Sequence, residues 1–161
     1  MARRYAKGTK VGVAKSREEI DRILRKWGAD QLQWSEDVKG GKSMLRFLWE
    51  FDGAEYCARF VVNVPSEAEI KDESVDGRTG EFSQNKFDQA MKRRGMVEHR
   101  ELALLLKAIF VAVEAGLIQA EQILLPFLED RDGQTVAELV LPHMKTIHKR
   151  GGVKLLLARG T

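Results

Sequence analysis

Cysteine is all but missing from this chain: Cys57 is the only one in 161 residues. That excludes an internal disulfide and any all-cysteine metal site, so stability has to come from packing, as suits a reducing cytosol. No apolar run approaches the roughly 18 residues of a membrane span, and the charged start lacks the apolar stretch of a secretory signal. A cytoplasmic protein with no membrane partner is therefore expected. Acid is missing from both ends. Arg3, Arg4, Lys7, Lys10, Lys15 and Arg17 precede the first carboxylate, and none follows Glu138, although Lys145, Lys149, Arg150, Lys154 and Arg159 do.

What is present fits one soluble domain over 1–161: 43% hydrophobic and 32% charged residues, enough to bury a core. The net charge of +3 is mild. Its distribution is not, since cationic ends flank a stretch at 67–81 with Glu67, Glu69, Asp72, Glu73, Asp76 and Glu81. We read 1–14 as a basic arm and 66–83 as an acidic flexible loop of low hydrophobicity.

The elements follow from periodicity. Ser16 and Glu19 make a capping-box pattern, and Ile20, Ile23, Leu24 and Trp27 keep helical spacing up to Gly28, which predicts a helix at 17–27. The period then drops to two, with turns at "VKGGK" and Asp52-Gly53, the strongest short hairpin signal. Strands are expected at 31–36, 42–51 and 54–64. A long helical pattern runs to Gly116 with a break at Gly95, and its Leu102, Leu105, Leu106, Ile109, Phe110 and Val113 suit a central core helix. A short helix ends near Pro126, and Thr135 with Glu138 caps a last helix that Pro142 should kink. The fold class is α+β: an N-terminal helix, a three-stranded antiparallel meander, and a C-terminal helical half packed on one sheet face.

A two-residue turn at Asp52-Gly53 fixes the register of the hairpin. One face is apolar, with Trp49 opposite Tyr56, Phe47 opposite Ala58 and Leu45 opposite Phe60. The other sets Glu50 against Glu55, Leu48 against Cys57 and Arg46 against Arg59. Like charges across a ladder repel, so an anion between Arg46 and Arg59 would relieve a cost; the competing reading is that both side chains reach for acids of the chain. On the first reading, Arg59→Leu is neutral or stabilising while it weakens binding. The anion-binding residues expected from the sequence are Arg3, Arg4, Lys7, Lys10, Lys15, Arg46, Arg59 and the Lys92, Arg93, Arg94 knot.

Catalytic signatures are not found. "GGKS" at 40–43 lacks the first glycine of a phosphate-binding loop, because Glu36 stands there, and a strand rather than a helix follows it. His99, His143 and His148 are not at metal-ligand spacing on one helical face. Ser43 and Cys57 have no nucleophile context. No enzyme, metal or cofactor is expected, although a site assembled from distant residues leaves no local motif.

Three segments, "YAKGTKVGVAKSREEIDRIL", "HRELALLLKAIFVAVEAGL" and "RDGQTVAEL", resemble the matching segments of a small protein family of phages, prophages and other mobile elements. The family has no assigned activity, so the resemblance implies a phage-type accessory protein and assigns no residue a role. Within that setting the charges favour nucleic acid or another polyanion as partner, held by phosphate contacts without base reading, in replication or recombination. The order helix, three strands, helix is shared with double-stranded RNA-binding modules. The alternative is an interaction or inhibitor protein that sequesters a host protein or a nucleotide signal.

Overall fold

The computed structural model describes Ala6 and residues 8–149. Its elements are α1 (Val13–Lys26), β1 (Ala29–Asp37), β2 (Lys42–Phe51), β3 (Ala54–Asn63), α2 (Glu67–Glu73), α3 (Gln84–Arg93), α4 (Met96–Glu114), α5 (Ala120–Leu124), a 3-10 turn at Leu125–Phe127 and α6 (Val136–Lys149). This is the α+β arrangement expected: an antiparallel sheet in the order β1-β2-β3, with helices packed on it.

The hairpin register is as derived from Asp52-Gly53, including Arg46 directly opposite Arg59. Both turn residues have positive φ, 51° for Asp52 and 73° for Gly53, which matches the right-handed twist of the flanking strands. Parity then does the rest. Leu45, Phe47, Trp49, Ala58 and Phe60 share one face and are buried with Ile20, Ile23 and Leu24 of α1 and Leu102, Ala103 and Leu106 of α4. Trp27 stacks on Phe110 at 5.5 Å, and its carbonyl accepts a hydrogen bond from Trp49 Nε1 at 3.0 Å.

Three expectations need correction. Helix α1 starts at Val13 behind Gly12, so Ser16 is not a cap; it sits inside the helix, fully buried, and its Oγ has no hydrogen-bond partner among the described residues. The stretch 66–83 is not a flexible loop. Ser66 Oγ accepts from Glu69 N while Glu69 Oε2 accepts from Ser66 N at 2.7 Å, a capping box that starts α2 and buries Ile70. Beyond α2, Asp76 Oδ1 accepts from Arg78 N and Thr79 N, and Val75 bridges to Phe82, so the acidic turn is hydrogen-bonded throughout. In the described part of the basic arm Ala6 is buried and accepts a turn hydrogen bond from Thr9 N, while Gly8, Lys10 and Gly12 are exposed. Finally, α4 is not wholly in the core: Leu105 and Val111 are more than half exposed, leaving one apolar stripe inside.

Candidate functional site

The cations singled out in the sequence, together with Arg100, fall into two groups where they are described. Arg17, Arg46, Arg59, Arg94 and Arg100 each meet a carboxylate of the chain. Lys10, Lys15, Lys92 and Arg93 are exposed and form no ion pair among the described residues. Arg3, Arg4 and Lys7 lie outside the described residues.

Arg46 and Arg59 have an internal anion. Leu128 bridges to Ala58, and Glu129 N donates to Cys57 O at 2.8 Å, which sets Glu129 beside β3 on the polar face. Its carboxylate is almost fully buried, 3.1 Å from Arg46 Nη2 and 3.2 Å from Arg59 Nε. The second distance is within ion-pair reach but off the hydrogen-bond axis. Arg59 Nη2 also donates to Glu138 Oε2 at 2.6 Å, at the capping-box end of α6. Cys57 Sγ donates to Glu129 at 3.2 Å, and burial together with this bond pushes the thiol up to about 11. The repulsion read from the register is thus met by an acid that no local sequence signal links to it.

A second network lies between α1, β1, β2 and α4. Arg17 Nη2 shares its two hydrogens among Glu36, Ser43 Oγ at 3.0 Å and His99 Nε2 at 3.1 Å, and the guanidinium lies 4.6 Å from the Trp34 ring. Glu36 also accepts from Arg94 at 2.8 Å. Burial works to raise its carboxyl, yet the bonds from Arg94 and Arg17 outweigh it and hold Glu36 below its ordinary value. His99 Nδ1 sits 2.7 Å from Gly95 O, and a carbonyl only accepts, so the proton is on Nδ1 and Nε2 is the acceptor. Burial, with the Arg17 charge, keeps this ring below the usual histidine range. Ser43 Oγ is 3.0 Å from Nε2, a spacing that a nucleophile and its base would share. Ser43 and His99 are sealed, at 0% and 1% exposure, so this pair ties elements together and offers no substrate a way in.

The knot at 92–94 divides. Arg94 folds inward, with Nε donating to Pro65 O at 2.6 Å. Gly95, at φ 76°, turns the chain from α3 into α4. Lys92 and Arg93 are left on the outside at the end of α3. Arg93 then lines a cavity of about 510 Å³ together with Gly8, Thr9, Lys10, Met96 and Val97. A neighbouring cavity of about 390 Å³ shares Arg93 and Val97 and adds Lys86, with Glu73 and Glu98 on its wall. Residues 8–10 and the α3–α4 turn, distant in sequence, therefore line one cavity, with Lys10 and Arg93 as its cations and Met96 and Val97 as its apolar members. Lys15 stands exposed in the first turn of α1, which contains no acid and has no side-chain cap at Gly12.

Among the described residues, no cluster of His, Cys, Asp and Glu is arranged to hold a metal, and no helix is long and apolar enough to cross a membrane. No protein-family description, curated protein or solved structure matches this chain. Function is therefore argued from the site.

Proposed function

We propose that this protein binds nucleic acid through phosphate contacts, without catalysis, as a cytoplasmic phage-type accessory protein of replication or recombination. One observation carries the reading: Lys10 and Arg93 line the same cavity, Lys92 precedes Arg93 at the end of α3, and neither these three nor exposed Lys15 forms an ion pair among the described residues. Exposed cations without an internal carboxylate are what a phosphate backbone recognises, and they release counterions on contact. The uncapped start of α1 adds amide donors and the positive end of a helix dipole. Arg3, Arg4 and Lys7, outside the described residues, add positive charge ahead of Lys10 in the sequence. Arg46, Arg59 and Arg94 do not, because Glu129, Glu138 and Glu36 already engage them.

A second reading rests on the concavity itself. A volume of about 510 Å³ with Met96 and Val97 in its lining lies in the range of small-ligand pockets, which favours sequestration of a nucleotide. Titration of labelled single-stranded and duplex DNA, and of RNA, at several salt concentrations separates the two. Polyanion binding falls log-linearly with salt, with a slope near 0.9 per phosphate on duplex DNA. Weak salt dependence with displacement by a mononucleotide selects the second reading. No binding to DNA or RNA at low salt overturns the first.

A further inference from the structure

Among the described side chains His99 is the histidine with a buried ring, and the proposed interface makes no direct use of it. Its surroundings are specific. Arg17 faces it from α1, Glu36 from β1, neutral Ser43 from β2 and Glu98 from its own helix, while Arg94 reaches Glu36 from the α3–α4 turn. The Trp34 ring, 5.4 Å from the imidazole, closes one side. Nδ1 is committed to Gly95 O, so an added proton can go only to Nε2, where Arg17 and Ser43 are bound. That proton removes the acceptor for Arg17 and sets an imidazolium against a guanidinium 3.1 Å away.

We propose that His99 is an acid-operated latch: proton uptake at Nε2 releases Arg17 and loosens α1 from α4 and from the α3–α4 turn that carries Arg93. Glu36 and Glu98 favour the charged ring, as does the Gly95 bond, but burial and Arg17 prevail. The sign follows. An opened chain protonates His99 near its ordinary 6.5 and the closed chain only lower, so closure is at full strength above that value and is lost progressively as pH falls below it. One linked proton shifts the open-to-closed ratio by up to about tenfold per pH unit. The effect on the interface, which rests on the nucleic-acid reading, is a loss of affinity on acidification. Simple charge gain predicts the opposite, since protonating histidines adds positive charge.

The test compares the full chain with His99→Phe by urea denaturation and by titration of a labelled DNA oligonucleotide at pH 7.5 and 5.5. The latch predicts that the wild-type chain loses stability and binds DNA several-fold more weakly at pH 5.5, and that His99→Phe loses most of both dependences. Equal pH dependence of stability in the two proteins overturns it. Should His99→Phe not fold, the imidazole NMR signals of the wild-type chain decide. A ring that stays neutral down to the onset of opening supports the latch, whereas one that protonates near 6.5 in a fold with unchanged hydrogen exchange overturns it. A His99-dependent stability change with no DNA binding at either pH supports the latch and overturns the nucleic-acid reading.

Discussion

Arg59→Leu removes one of the two guanidinium groups beside a carboxylate that has almost no contact with water. The Glu129 side chain is 6% exposed and meets Arg59 Nε at 3.2 Å and Arg46 Nη2 at 3.1 Å. Breaking a buried pair by removing one partner costs about 3–5 kcal/mol. Arg46 remains, but at 41% side-chain exposure its attraction is partly screened, so it offsets only part of the loss. Relief of the Arg46/Arg59 repulsion returns a few tenths of a kcal/mol, on the order of one cross-strand pair. The balance is a destabilisation of about 1–3 kcal/mol, or roughly 3–10 °C in Tm for a chain of this size. Urea denaturation followed by tryptophan fluorescence measures it. Arg59→Leu combined with Glu129→Leu should recover most of the loss, because no buried charge is then left unpaired. A single variant as stable as wild type, or more so, refutes the reasoning and returns Arg59 to the candidate anion site.

Two further outcomes follow from the geometry. Gly95→Ala forces a Cβ into a φ 76° backbone, 3.0 Å from the His99 ring, so thermal unfolding should show a loss of about 1–3 kcal/mol; an unchanged Tm would mean that the α3–α4 turn is not held as described. The Cys57 thiol, pushed up to about 11 from an ordinary 9.0, should alkylate at pH 8 about a hundredfold more slowly in the folded than in the unfolded chain, and Glu129→Gln should narrow the gap; equal rates contradict the Cys57–Glu129 bond.

The hairpin was legible because Asp52-Gly53 fixes a register and period two then assigns every side chain to a face. Helix α2 was legible in principle, since Ser66 and Glu69 form a capping box ahead of Ile70, but the acidic composition of the stretch masks that pattern. Ser16 and Glu19 show the reverse: the same pattern lies inside a longer helix, where packing of Ser16 overrides the local signal. The partners of the arginines were not legible. Glu129 reaches Arg46 only because Leu128 docks on the edge of β3, and Glu36, Ser43 and His99 converge from three elements, so neither network has a spacing in the sequence. From the register alone Arg59→Leu reads as stabilising; with Glu129 in place its sign reverses.

The most direct measurement for the interface is the salt slope of DNA binding by the chain carrying Lys10→Gln and Arg93→Gln, set against wild type and against Arg46→Gln. If Lys10 and Arg93 each neutralise a phosphate, the double variant binds more weakly and its log-log slope on duplex DNA falls by about 1.8, at about 0.9 per contact. Its Tm stays near that of wild type, because neither side chain has an ion pair among the described residues to lose. Arg46→Gln leaves the slope unchanged. A double variant with the wild-type slope, or a slope that falls only with Arg46→Gln, contradicts phosphate binding at the α3–α4 turn.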